Sequence, residues 1–264
     1  MSSATQTRPS RAGRHGPGGR REHGDWDRLT REPAPTERFS SADVAGLPEP
    51  VARWLRHSVP DGTPLYTGVE LEMRGEIKLG SWRRFTARQV IVPGHGYVWA
   101  ARVRLAGVTV SGYDELLPAG AQMRWWALGV LPFLNKSGPD ITSSAAGRLA
   151  GEGVLVPTAY HQATWLSDAL TDYARSSWSF GEHEDAVRVH VTDTGRLASV
   201  SMHRWGNPDD VGFARYPFGV SFSDEATFDG VTIPSAMRAS WWWGTDWEEK
   251  GEFFRARITR AVFH

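Results

Sequence analysis

Cysteine is absent from this 264-residue chain, which removes disulfides, thiolate nucleophiles and Cys-based metal sites from its possible chemistry. Long uncharged apolar runs are missing as well. No stretch approaches the ~18 residues of a membrane-spanning helix, and the opening residues carry charge without the apolar segment of a signal peptide. These absences predict a soluble, cytoplasmic protein with no transmembrane segment. The net charge is zero, so no whole-molecule field draws the chain to nucleic acid, and no nucleic-acid partner is expected. Lysine occurs only at 78, 136 and 250. The histidines at 57, 95, 161, 183, 190 and 203 have no His-x-x-x-His or His-Glu-x-x-His spacing, so no metal site is expected. Neither a Gly-x-Ser-x-Gly elbow nor a Gly-rich phosphate loop is present, and no cofactor is expected.

Tryptophan, by contrast, is abundant, with 13 residues. Each buries on the order of 200 Å² and its indole N–H needs a partner, so this number implies a large aromatic core or a ligand-binding surface. Hydrophobic content of 40% with 23% charged residues supports a core without metals or disulfides.

Residues 1–37 are rich in Arg, Gly, Pro, Ser and Thr, and the first 21 include Arg8, Arg11, Arg14, Arg20 and Arg21 but no acid. So little apolar surface cannot offset the entropy of ordering, and a disordered basic tail is expected. Order begins near Phe39. Ser40 or Ser41 is positioned to cap a short helix, and Pro50, Val51, Trp54 and Leu55 mark a second. From Val69 the period is two: Val69, Leu71, Met73, Ile77 and Leu79 alternate with charged residues, giving a strand with one apolar and one solvated face. Short strands follow over 85–92, 97–104, 108–113 and 123–127, separated by Gly and Pro turns as in an antiparallel meander. The pattern breaks at Leu128 to Pro157, where Asp140 can cap a helix carrying Ile141, Ala145 and Leu149, with Arg148 and Glu152 one turn apart and able to pair. Strands resume over 164–166, 173–180, 186–192, 197–205, 220–228, 231–243 and 252–263. No linker separates the two runs, so residues 38–264 are predicted to form one domain. The fold class is mainly β (α+β): a single curved antiparallel sheet, or half-barrel, with a short N-terminal helix and a helical insertion covering its concave face.

Leu47-Pro48-Glu49-Pro50-Val51, Ser144-Ala145-Ala146-Gly147-Arg148-Leu149, Arg204-Trp205-Gly206, Tyr216-Pro217-Phe218-Gly219 and Phe228-Asp229-Gly230 with Ile233-Pro234-Ser235 resemble an uncharacterised bacterial family known only as a domain of unknown function. The resemblance spans about Phe39 to Thr259 and implies no activity; Trp247 departs from it where a basic residue is expected. More distantly, the order of helix, strands, helical insertion and strands is similar to the half-barrel of periplasmic lipoprotein carriers. That resemblance implies an apolar concave face, while their exported role does not follow for a chain lacking a signal peptide and lipobox Cys.

Side-chain alternation points Tyr97, Trp99, Met123, Trp125, Trp241 and Trp243 inward, and these are the candidate ligand-binding residues for a lipid-like or aromatic small molecule. Rings interlocked without open space would instead mark a filled core and an interaction protein. A metal-independent enzyme (cyclase, isomerase or hydrolase) is the alternative use of the same cavity, with Asp114, His203 and Asp246 as acid–base candidates and Arg204 as charge stabiliser. Arg204 falls on an apolar face with Val200 and Met202, so an acid such as Asp114, Glu225 or Asp246 is expected beside it. Trp242 is expected to stack on Arg238 or Arg255.

Overall fold

In the computed structural model, which describes residues 19–31, 35–105 and 107–264 and the side chains of the first helix from Gly24 onward, thirteen antiparallel strands form one continuous sheet. In chain order the elements are α1 (Gly19–Leu29), α2 (Glu49–Ser58), β1 (Val69–Leu79), β2 (Ser81–Val92), β3 (Gly96–Leu105), β4 (Val108–Leu117), β5 (Gly120–Ala127), β6 (Leu131–Ser137), α3 (Pro139–Glu152), β7 (Thr164–Ser167), β8 (Tyr173–Phe180), β9 (His183–Val191), β10 (Leu197–Gly206), β11 (Ala214–Phe228), β12 (Val231–Trp241), α4 (Glu248–Gly251) and β13 (Glu252–Phe263). Successive strands pair as a meander in each half. The halves join where β1 pairs with β13, Val69 opposite Phe263 and Ile77 opposite Phe254. The edges are therefore β6 and β7, which are neighbours in sequence, so the segment between them must cross from one edge to the other.

That segment is α3 followed by two 3-10 turns, Gly153–Leu155 and Pro157–Gln162. It lies on the concave face, touching β4, β5 and β6 on one side and β8, β9 and β10 on the other. Its inward face is Ala145, Ala146, Leu149 and Ala150, packed on Leu116, Trp99, Phe180 and Met202 within the two buried clusters of the concave side. Curvature has a local cause. At Gly75 an added Cβ would overlap the Arg255 carbonyl oxygen, and at Gly112 the Arg124 carbonyl, so only glycine allows neighbouring backbones to close up on the inner side. Bulges at Glu72/Met73, Phe222/Asp224 and Ala239/Ser240 add bend.

Several boundaries depart from expectation. The reading of 1–37 as a disordered tail differs at α1, where Leu29 packs on the convex side with Val90, Val92, Val98 and Tyr113. There the Trp26 indole donates to Glu70 Oε2 at 2.9 Å, and Arg88 lies over its ring at 5.1 Å. Two apolar residues three apart suffice when the sheet supplies the other half of the contact; the part of that reading covering 1–18 and 32–34 lies outside the described residues. Residues 40–47 form successive hydrogen-bonded turns and not a helix. Leu131 to Ser137 is an edge strand, β6, where the break in pattern had been assigned: it pairs with β5 on one side only, so it has no buried face to impose alternation. Asp140 does not cap α3, which starts after Gly138; it accepts a hydrogen bond from the Trp205 indole at 3.0 Å instead. The expected Arg148–Glu152 pair forms, at 2.8 Å.

Gly75→Ala is expected to cost at least ~1–3 kcal/mol through overpacking against the β13 backbone, lowering the thermal midpoint by about 2–4 °C per kcal/mol. The same substitution at Gly80, which has open space but a φ of 72°, should cost only ~1 kcal/mol of backbone strain. Calorimetry of the two variants checks the difference.

Candidate functional site

The concave face is lined by a chain of aromatic rings. Trp125 meets Trp99 at 5.8 Å, Trp99 meets Phe85 at 5.8 Å, and Phe85 stacks on Phe254 at 5.2 Å. The series continues through Phe253, at 6.5 Å from Phe254, to Trp241 at 6.4 Å and Phe218 at 5.2 Å from Trp241. It runs across β5, β3, β2, β13, β12 and β11. Strand alternation produces most of it, turning an aromatic residue inward from each strand so that the antiparallel register sets them side by side; on β13 the register shift opposite Ala239/Ser240 leaves Phe253 unpaired and lets it join Phe254 in the series. Trp99 is buried, while Trp125, Phe253, Phe254 and Trp241 keep part of their surface exposed.

Two guanidinium groups sit on this chain. Arg148, projecting from α3, lies over Tyr97 at 4.6 Å and Trp99 at 5.3 Å. It also bonds Glu152 and approaches Asp114 Oδ2 at 3.7 Å. Arg204, projecting from β10, lies over Phe218 at 4.8 Å and Trp241 at 5.4 Å. Its Nε donates to the Ser144 carbonyl at 3.2 Å. Asp114 accepts from the Trp125 indole at 2.9 Å, and Glu152 accepts from Gln89 at 2.6 Å.

Enclosure shapes the ionisation of these groups. Burial pushes the Tyr97 hydroxyl up to about 12 and raises the Asp114 carboxyl above its ordinary 3.8, outweighing the Arg148 charge and the Trp125 hydrogen bond that favour the anion. Arg148 is also buried, which by itself would lower it, but Glu152 and Asp114 more than offset that and hold it above its usual value. Burial brings Arg204 down to about 10; Glu152 and Asp185 favour its charge from a distance, but neither carboxylate touches it and Arg148 opposes it. Among the described residues it forms no ion pair. Two further donors on this face have no hydrogen-bond partner among the described residues: the Trp99 indole N–H and Nε of Arg83.

The aromatic candidates are thus partly brought together. Tyr97, Trp99 and Trp125 are contiguous, Met123 shares their face at half burial, and Trp241 lies on the C-terminal half with its ring against Gly206. Trp243 leaves this group. The strand ends at Trp241, Trp242 takes a φ of 61°, and the turn carries Trp243 to the opposite face, where it lies against Gly219. Of the polar candidates, Asp114 and Arg204 face inward and flank Arg148, whereas His203 points outward by alternation and Asp246 sits in the exposed turn before α4. None of the expected acids pairs with Arg204, since Glu225 engages His57 and Arg196. Trp242 stacks edgewise on Tyr216 and donates to Asp209 instead of covering an arginine; Arg255 covers Trp82. The part of α3 in the site was legible only as an internal Arg148–Glu152 pair, because no local signal says that Arg148 reaches across to β3.

One crevice beneath α3, of about 10 Å³ between Ala146, Leu149, Trp178, Phe180 and Asp185, has room for about one water molecule. Neighbouring rings are in contact, but Trp125, Phe253, Phe254 and Trp241 keep part of their surface exposed, so a larger guest would have to use that exposed part of the face or displace α3. No group of three metal-ligating side chains occurs among the described residues, and no helix among them is long and apolar enough to cross a membrane.

A family model described as a family of unknown function, DUF6544, matches residues 37–252. The chain belongs to that family. Among solved structures, this DUF6544 chain is similar to a domain provisionally described as an outer membrane lipoprotein-sorting protein from Vibrio parahaemolyticus (TM-score 0.42, 7% identity, 85% of this chain and 94% of that one). It is also similar to a DUF1329 family protein from Desulfovibrio piger (TM-score 0.42, 11% identity, 81% and 90%) and to a LolA superfamily protein from Nitrosomonas europaea (TM-score 0.40, 8% identity, 83% and 94%). No residue role is carried across from them. Comparison with curated proteins gave no match.

The raised Asp114 sets a sign. Its folded pKa exceeds the unfolded 3.8, so the folded state holds the proton longer, and its contribution to stability is greatest below 3.8 and falls as pH rises through the folded value. Asp114→Asn should therefore gain thermal stability relative to wild type as pH is raised from 3.5 to 7, as read by paired melting curves at each pH.

Proposed function

We propose that the concave face binds a small amphiphile with an apolar body and an anionic head. The observation that carries this reading is Arg204, a guanidinium set between Phe218 and Trp241, bonded to the Ser144 carbonyl and hydroxyl and with no carboxylate in contact. A half-buried cation with no carboxylate in contact is costly, and breaking even is commonly achieved by pairing; a bound anion would supply the close partner. The unpartnered Arg83 and Trp99 donors add to the same polarity. The apolar body would lie along the half-exposed rings of Trp125, Phe254 and Trp241.

Because the crevice under α3 is small, binding on this reading requires α3 to shift away from the aromatic chain. The Ala-rich inward face of α3 buries little surface per residue, which keeps that displacement inexpensive. A metal-free enzyme would use Asp114, which lies 3.7 Å from Arg148; His203 and Asp246 lie too far out to complete it.

The test is titration with a long-chain fatty acid and with its methyl ester, followed by native mass spectrometry and thermal shift. Wild type is expected to prefer the acid by about tenfold or more, as for a charge-assisted hydrogen bond. Arg204→Met should bind both ligands alike, and without ligand it should melt no lower than wild type, since an apolar group replaces a half-buried charge that has no carboxylate in contact. Failure of wild type to bind either ligand, or equal preference in both proteins, would sink the reading in favour of a filled core.

A further inference from the structure

The turns joining β1 to β2, β3 to β4 and β5 to β6 stand side by side at one end of the sheet, a consequence of the up-and-down pairing of these strands. Leu128 is tied to its neighbour by its backbone N–H, which donates to the Thr109 carbonyl at 2.9 Å. These turns and the strand ends beside them carry exposed large apolar residues: Leu79, Val108, Leu128, Val130, Leu131 and Phe133, the four from Leu128 on being 58–64% exposed. Most of the exposed large apolar side chains among the described residues belong to this one end. Such a concentration on a folded surface marks a contact and not random scatter.

Charge on the same end is equally biased. Alternation puts Arg74 and Lys78 of β1, Arg84 of β2, and Arg102 and Arg104 of β3 on the convex face just behind the turns, and all five are exposed. Glu76 is the one acid on that strip of β1 to β5. None of the five cations forms an ion pair among the described residues, while elsewhere Arg53, Arg175, Arg188, Arg215 and Arg257 each engage a carboxylate. Acidic residues return in the connections that continue this end of the sheet, at Asp209 and Asp210 before β11 and at Asp246, Glu248, Glu249 and Glu252 around α4, which bounds the basic surface on that side.

We propose that this end docks, turns first, onto an anionic lipid surface, with the apolar tips entering the headgroup boundary and the arginine strip neutralising the lipid charge. Three features favour a lipid surface over a second copy of the chain. Four of the six apolar residues follow one another along a single rim, Leu128 to Phe133, with Leu79 and Val108 at the neighbouring strand ends, a narrow edge suited to shallow insertion. A strip of unpaired cations would repel its own copy. Edge-to-edge pairing through β6 is hindered by Pro132 and Lys136. The inference is independent of any ligand in the concave face.

Flotation of the full chain with vesicles of mixed phosphatidylglycerol and phosphatidylcholine, against phosphatidylcholine alone, tests it at low and high salt. Binding should be about tenfold or more stronger on the anionic vesicles and weaken with salt. L128S/L131S/F133S and R102E/R104E should each lose about tenfold or more while melting with wild type, since every substituted side chain is exposed. Both variants keep the basic N-terminal residues, so binding unchanged in them would place the attachment there and overturn the proposal. Indifference of wild type to lipid charge would also overturn it, as would a concentration-dependent dimer in light scattering that the triple serine variant abolishes.

Discussion

Pairing of the first strand with the last is the constraint on which the rest of this molecule depends. Once β1 and β13 lie at the middle of the sheet, the two free edges are consecutive in sequence, and the connection between them has no route except across the mouth of the curve. The helical insertion is thereby placed on the concave face by topology, whatever its own sequence prefers. Its residues then become part of a site made by strands more than forty positions away: Arg148 over Tyr97 and Trp99, and the Ser144 carbonyl beneath Arg204.

Placing charge against aromatic faces explains how so polar a set of residues is tolerated inside a curved sheet. A guanidinium is flat and weakly hydrated, so it can lie on a ring and lose less than an ammonium would. Arg148 also gains two carboxylates. Arg204 gains rings and the Ser144 carbonyl and hydroxyl but no carboxylate in contact, and this asymmetry between two otherwise similar arginines is the most informative electrostatic feature of the concave side. The same contrast recurs outside, where cations behind the β1–β6 turns lack the partners that arginines elsewhere possess.

Legibility varied with how local the cause was. The strand Val69–Leu79, the turn at Asp229–Gly230, the inward Arg204 and the Arg148–Glu152 pair were readable because alternation or helical spacing within a few residues determines them. Strand β6 was not, since an edge strand with both faces exposed shows no alternation. Helix α1 was not, because Trp26 and Leu29 become a sufficient apolar face only against β2 and β3. Trp243 was misplaced by a single positive φ at Trp242, which inverts every assignment after it.

Sequence alone thus determined the class of the protein: an antiparallel, aromatic-rich half-barrel with a helical insertion, without cysteine chemistry, and assignable to the DUF6544 family. Those properties follow from periodicity and composition, which act over one or two turns of chain. Tertiary structure decided which partners meet. The edge-to-edge crossing of α3, the joining of six strands' rings into one series, the unpaired state of Arg204 and the gathering of apolar turns at one end all depend on contacts between distant segments, and strand register, which no local pattern encodes, selects those contacts.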